Sequence, residues 1–263
     1  MSKIILITGA TDGIGFETAR MLAAEGNIIL LHGRNKDKLR NVALQIGRDT
    51  QTYLADMSSL DDVDQMAKEI LKKHDKIDII INNAGIFKTP VTTTKDGLDT
   101  RFMVNTIAPY ALTQQLLPIM PEDGRVINLS SAAQAPVDID ALRGGVQLDA
   151  MSAYAQSKLA ITIWTQELAK KLPNGPLFVA VNPGSLLASK MVKEGFGVEG
   201  HDLSIGADIL CRAALSDEFA NASGKYFDND ARRFASPERS ASNVAHSQAI
   251  VETIESIIAQ LRS

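Results

Sequence analysis

The chain has 263 residues, with 27 Lys and Arg against 31 Asp and Glu, a formal charge of −4, and 45% hydrophobic and 22% charged residues, which is ordinary globular composition. With no basic run, it carries no electrostatic footprint for a nucleic-acid backbone or an anionic membrane surface. The longest apolar stretches, such as Ile4–Ile7 and Ile28–Leu31, fall far short of the roughly 20 residues a membrane span needs.

Strand-like and helix-like segments alternate from the first residues, the pattern of a parallel sheet with crossover helices. Lys3–Thr8 reads as a strand buried on both faces, because its apolar residues are consecutive. After the turn Gly9–Gly13 a helix is expected over Ile14–Glu25, ended by Gly26. Then follow a strand at Asn27–His32, a charged amphipathic helix at Lys36–Ile46, a strand at Gln51–Ala55 and a helix at Ser59–His74. A strand at Asp78–Asn82, one helix from Gly97 to Leu117 closed by Pro118, and a strand at Arg125–Ser130 come next. This order builds a doubly wound sheet. Residues 132–150 are small, polar and Gly-rich, and the stretch 132–153 is taken as a surface excursion before a helix running from Ser152 to Leu172. The remainder reads as a strand at Leu177–Asn182, an irregular segment at 186–204, a helix at Ile205–Leu215, a short strand at Lys225–Asp228, a loop at 229–243 and a helix at Val244–Leu261. The expectation is one α/β domain over residues 1–263, a three-layer, Rossmann-type, doubly wound parallel sheet of about seven strands.

Cys211 is the sole cysteine, so no internal disulfide is available and the residue reads as a small buried hydrophobe. His32, His74, His201 and His246 are scattered, and none pairs with another His or Cys at a zinc-like spacing. No metal site is expected. The N-terminal apolar run passes straight into the Gly-rich turn, unlike a secretory signal, and a soluble, cytoplasmic protein is the expectation.

The first strand-to-helix connection reads Thr8-Gly9-Ala10-Thr11-Asp12-Gly13-Ile14-Gly15. Glycine lets the backbone approach a pyrophosphate, and a helix start beside it favours an anion. A tight turn in any strand-turn-helix unit could use the same glycines. The spacing is G-x-x-x-G-x-G rather than the commoner G-x-G-x-x-G. Later come Asn82-Asn83-Ala84-Gly85 at the end of the fourth strand, Tyr154-Ala155-Gln156-Ser157-Lys158, and Pro183-Gly184 after the sixth strand. Four motifs in this order resemble the classical short-chain dehydrogenase/reductase family over nearly the whole chain. The resemblance implies that Gly9, Thr11, Asp12, Gly13, Ile14, Gly15, Asn83, Ala84, Gly85, Pro183, Gly184 and Ser185 line a dinucleotide site, with Asp56 and Met57 bordering the adenine.

A carboxylate at the end of the second strand would suit the ribose of NAD, and a cation a 2′-phosphate. His32-Gly33-Arg34-Asn35 stands there, without an acid. Arg34 offers a planar fork of donors, so NADP(H) is preferred, with NAD(H) allowed; a solvated Arg at the start of a charged helix is the other reading. Asp12 occupies a place where some NADP-preferring relatives carry a basic residue.

Tyr154 and Lys158 are four residues apart, on one face of a helix. A phenol is a poor acid or base near neutrality unless its anion is stabilised, as an ammonium one turn away would do. By resemblance Tyr154 exchanges a proton with the substrate oxygen and Lys158 also binds the nicotinamide ribose. Ser131 aligns with the substrate-orienting serine, with Ser130 adjacent, and Asn105 is implied to anchor a water next to Lys158. The 23 positions between Ser131 and Tyr154, longer than in many members, and the Ala-Tyr-Ala-Gln-Ser-Lys-Leu-Ala context are similar to the retinol dehydrogenase and WW-domain-containing oxidoreductase branch. Neither a WW module nor a membrane anchor is expected, so retinoid specificity is not implied.

The expected substrate is a small or apolar carbonyl or alcohol. Leu186, Leu187, Met191, Val192 and Phe196 in the segment 186–204 read as a substrate lid or as core. Arg143 could meet an anionic substrate group or simply be solvated. Leu159, Ile163, Trp164 and Leu168 could mediate a homodimer or homotetramer, as the corresponding helix does in many relatives, or could cover the sheet. Two other functions are weighed: a non-catalytic dinucleotide sensor or scaffold, against which stand the intact Tyr and Lys, and epimerisation or dehydration of sugar nucleotides, for which the chain leaves little room.

Overall fold

The computed structural model describes residues 2–47, 50–185, 187 and 200–263. Seven parallel strands form the sheet: β1 (Ile4–Ile7), β2 (Ile28–Gly33), β3 (Thr50–Leu54), β4 (Ile79–Asn82), β5 (Arg125–Leu129), β6 (Leu177–Asn182) and β7 (Lys225–Asp228). An eighth, β8 (Arg233–Ala235), runs antiparallel along β7, and the spatial order is β3-β2-β1-β4-β5-β6-β7-β8. β1 lies between β2 and β4, with Ile5 beside Ile29 on one side and Ile79 on the other. The strand order therefore reverses between β1 and β4, where doubly wound sheets open their ligand crevice.

Pleating explains why the strand sequences are apolar at every position. Leu6, Leu30, Ile80, Val126 and Phe178 point to one face, where α3 (Leu60–Lys73), α5 (Ala108–Leu116), α7 (Ala150–Lys171) and α9 (Val244–Leu261) complete a core. Their neighbours Ile5, Ile7, Ile29, Ile79, Ile127 and Val179 point to the other, toward α1 (Gly13–Ala24), α2 (Lys36–Ile46) and α8 (Leu203–Leu215). Both faces are dry, as a central parallel sheet requires.

The single helix expected over Gly97–Leu117 is instead built of pieces. A short α4 (Thr100–Phe102) passes into a π turn at Met103–Ile107 before α5, which ends in a 3₁₀ turn at Leu117–Ile119. Pro109 has no N–H to offer the Asn105 carbonyl four residues back, and the Ala108 amide bonds Met103 O, five residues back, instead. The stretch 132–153 is tied down rather than lying on the surface throughout: α6 (Ile139–Leu142), capped by Asp138, occurs within it, and Val137, Ala141 and Leu142 are buried. β8 falls inside the expected loop 229–243; three residues are too few for periodicity to register. Leu159, Ile163, Trp164 and Leu168 are all buried within this one chain. α9 covers α7, and Tyr110 on α5 meets Trp164 edge-on at 5.5 Å between ring centroids while donating to Glu255 Oε1 at 2.6 Å. Those apolar side chains thus cover the sheet.

Candidate active site

The nucleotide turn is shaped by the second motif. Gly9 and Gly13 have φ of +65° and +57°, a region costly to a residue with a Cβ. A Cβ on Gly9 would lie 2.9 Å from Ala84 Cα, and one on Gly15 would lie 2.3 Å from Asn83 Nδ2 and 2.4 Å from Gly9 O. The space is taken because Asn83 Nδ2 donates to Thr8 O at 2.8 Å and Gly9 O at 3.0 Å, while the Ala84 N–H donates to Thr8 Oγ1 at 3.0 Å. Asp12 caps α1, accepting from the Gly13 N–H at 2.8 Å. Thr11 lies over Gly33, where a Cβ would meet Thr11 Cγ2 at 2.5 Å. Ile14 lies in the first turn of α1, whose unbonded N–H groups and positive dipole end sit beside these glycines.

At the far end of the turn, Arg34 is exposed just past β2. Asn35 caps α2, its side chain accepting from the Lys38 N–H at 2.9 Å. Lys38 itself stands 3.9 Å from Asp12 Oδ2, so the acid in the turn has a cation beside it that sequence reading had not singled out. Asp56 Oδ1 accepts from the amide and hydroxyl of Ser58 at 2.9 and 2.7 Å, and Met57 is buried.

At the chemical end, Tyr154 and Lys158 lie one turn apart on α7, with Lys158 Nζ 5.7 Å from the centre of the phenol ring. Lys158 is 4% exposed and donates to Leu129 O, at the end of β5, at 2.7 Å. Burial pulls its ammonium down to about 8. Burial likewise raises the Tyr154 phenol, and the Ser131 hydroxyl pulls it the other way. That assigns the two adjacent serines different environments: Ser130 is buried, with its hydroxyl on Thr162 Oγ1 at 2.7 Å, whereas Ser131 is half-buried beside Tyr154. Phe87 packs against the Tyr154 ring at 5.2 Å between centroids.

Asn105 sits in the π turn, 1% exposed. Its amide clamps the chain just past Gly85: Oδ1 accepts from the Ile86 N–H at 2.8 Å, and Nδ2 donates to Ile86 O at 3.0 Å and to Ser157 Oγ at 2.9 Å. A Cβ on Gly85 would touch both Asn105 Oδ1 and Lys158 Nζ at 3.4 Å, so these three positions converge. π turns often sit at functional sites.

Pro183 is buried, and Gly184 takes φ +126°. Ser185 then donates to Asp230 twice, from its amide at 2.8 Å and from its hydroxyl at 2.6 Å, and Asn182 Nδ2 reaches the same carboxylate at 2.9 Å. Asp230 had no motif to mark it. Of the expected lid 186–204, residues 186 and 188–199, with Leu186, Met191, Val192 and Phe196, lie outside the described residues; Leu187 is buried. Arg143 is exposed and reaches Thr253 on α9 at 3.4 Å. Cys211 is buried in the core, its thiol pushed up to about 12. Among the described residues, no group of three or more His, Cys, Asp or Glu could hold a metal ion, and no helix is long and apolar enough to cross a membrane.

The short chain dehydrogenase family model matches residues 3–196. Human retinol dehydrogenase 13 is 32% identical over 92% of this chain and 81% of its own length, and the Drosophila melanogaster WW domain-containing oxidoreductase is 30% identical over 98% of this chain and 69% of its own. A crystal structure of a Mycobacterium Paratuberculosis protein superposes with a TM-score of 0.82 at 26% identity, covering 98% of this chain and 93% of that one. A short chain dehydrogenase from Shigella flexneri 2a, crystallised with NADP, gives 0.69 at 29% identity, covering 87% and 97%. The match over most of the chain, carried by motifs that brace one another at the strand ends, makes this protein a member of the short-chain dehydrogenase family, similar in sequence to the retinol dehydrogenase and WW domain-containing oxidoreductase branch.

Proposed function

We propose that this protein is an NADP(H)-dependent oxidoreductase acting between the alcohol and carbonyl forms of a small or apolar substrate, with Tyr154 as the acid/base. The observation that carries this reading is the convergence of Tyr154, Lys158, Ser131 and Asn105 at the open end of β5, next to a turn whose backbone is bare because a Cβ at Gly9 or Gly15 has no room. The donor set fits a dinucleotide. Gly9, Thr11, Gly13, Ile14 and Gly15 would hold the pyrophosphate, and Asp56 and Met57 would border the adenine. Asn83, Ala84, Gly85, Pro183, Gly184 and Ser185 would line the nicotinamide half. Arg34, unpaired with any acid among the described contacts, is the cation suited to a 2′-phosphate; NAD(H) lacks that group and should bind less tightly.

When bound, the nicotinamide supplies or accepts the hydride at the reacting carbon. Tyr154 gives its phenolic proton to the substrate oxygen in reduction and takes it back in oxidation. Ser131 donates to the same oxygen and orients it. Lys158 carries positive charge one turn from the phenol, so the tyrosinate that forms in reduction is met by a cation in a dry site. Asn105 holds the Ile86 backbone against this group and keeps Gly85 close to the ammonium. The apolar ring of Phe87 beside Tyr154, and relatives that carry the name retinol dehydrogenase, support an apolar substrate.

The test is titration of the purified protein with NADPH and NADH, followed by aldehydes and ketones monitored at the nicotinamide absorbance. NADPH binding with turnover, and a Tyr154→Phe variant that keeps binding but loses about 10²–10⁴ in kcat, supports the reading. Absence of nucleotide binding overturns it.

A further inference from the structure

His32 ends the apolar run of β2 and is 2% exposed, yet both of its ring nitrogens are engaged. The Gly9 N–H donates to Nδ1 at 3.1 Å, and Nε2 lies 3.1 Å from Ala55 O. Only one neutral tautomer satisfies both contacts: Nδ1 must present its lone pair to the glycine amide, so Nε2 carries the hydrogen and donates it to the carbonyl. Burial, opposed by the Ala55 carbonyl and by Asp56, holds the ring in that neutral state at ordinary pH, with its pKa down to about 4. Gly9 lies past the end of β1, where its N–H no longer has a strand partner; Thr8, just before it, still bonds Ile81 O. The imidazole therefore takes the place of a missing ladder bond. It also reaches across β2 from the first glycine of the nucleotide turn to the residue that precedes Asp56 and Met57.

We infer that His32 is a positioning residue for the cofactor, a buried strut that holds the glycine turn and the end of β3 at one separation and so prepares both for the adenine-diphosphate half. This inference rests on the reading that the turn holds NADP(H). Without the strut, Gly9 has a donor with no partner and a backbone free to leave its left-handed conformation. Binding then has to order that turn, and the loss appears as affinity. The nicotinamide half, held by residues after β4 and β6, does not pass through this contact.

Three variants separate the strut from simple packing. His32→Leu removes both nitrogens, His32→Asn keeps an acceptor where Nδ1 stands, and His32→Gln keeps a donor near Nε2 but offers Gly9 nothing. The full chain is titrated with NADPH, 2′,5′-ADP and the reduced nicotinamide mononucleotide, and kcat is measured at saturating NADPH. His32→Leu and His32→Gln are expected to weaken NADPH and 2′,5′-ADP together by about ten-fold or more. Mononucleotide binding and kcat should stay within about two-fold, and His32→Asn should recover most of the affinity. Should the leucine variant not fold, the Asn and Gln pair decides, because both keep a buried amide and each keeps a different one of the two contacts. Equal affinity in those two, or a loss shared by the mononucleotide and kcat, overturns the inference. A wild-type chain that binds neither NADPH nor 2′,5′-ADP sinks the cofactor reading and this inference with it; wild-type binding that the three variants leave unchanged sinks the inference alone.

Discussion

Lys158 offers a quantitative test of the site's electrostatics in the nucleotide-free protein. Its ammonium is drawn into the fold with one backbone acceptor, Leu129 O, and burial lowers its pKa from 10.5 to about 8. A lowered folded-state pKa means that the unfolded chain takes up the proton first as pH falls. Stability attributable to this group is therefore lost between about pH 10.5 and pH 8, and the penalty is fully present below that window. At about 1.36 kcal/mol per unit, the full penalty is roughly 3 kcal/mol as an upper bound, of which about 2 kcal/mol develops between pH 10 and pH 7. Lys158→Met removes the penalty and also leaves the Leu129 carbonyl without its donor, a cost of about 1–3 kcal/mol that does not depend on pH. The measurement is urea unfolding of both proteins, followed by the fluorescence of Trp164, across this pH range. Tyr53, Tyr110, Tyr226 and Cys211 have raised pKa values in the fold and contribute the opposite slope only where their unfolded forms begin to ionise, at the alkaline end of this range, but they are common to both proteins and cancel in the difference. The variant should gain about 2 kcal/mol on the wild type as pH falls from 10 to 7. Parallel stability curves for the two proteins would refute the claim that Lys158 is buried as a costly cation awaiting its partners.

Gly15→Ala places a methyl group 2.3 Å from Asn83 Nδ2, so the bond from Asn83 to Gly9 must break; NADPH affinity should fall by about 10²-fold, read by fluorescence titration. Arg34→Asp exchanges the cation for a carboxylate suited to ribose hydroxyls, and the ratio of NADPH to NADH affinity should drop by at least about ten-fold, with the two titrations run side by side. Asn105→Ala leaves the half-buried Ile86 N–H and carbonyl without their partners; a loss of about 1–3 kcal/mol in unfolding free energy is expected, measured by urea denaturation, and an unchanged value would show that water replaces the amide.

Much of this molecule was determined locally. Consecutive Ile and Leu marked β1 as doubly buried, because a strand covered on both faces has no polar side to show. Tyr154 and Lys158 declared their common face through helical spacing alone, and Gly9, Gly13 and Gly15 stand where φ or close approach excludes a side chain. Other features depend on partners remote in sequence. The role of Asn83 as a brace for the glycine turn exists only once β4 lies beside β1, and the choice of Ser131 over Ser130 depends on which hydroxyl the end of β5 turns toward Tyr154 and which toward Thr162. Nothing near Asp230 in the chain announces its hold on Ser185, 45 residues away. His32 read as a stray histidine in an apolar strand, and Trp164 as a side chain that could face a partner. The first became a strut and the second core only when β1, β3 and α9 closed around them, since a polar ring or a large apolar surface takes its meaning from what the fold brings within reach.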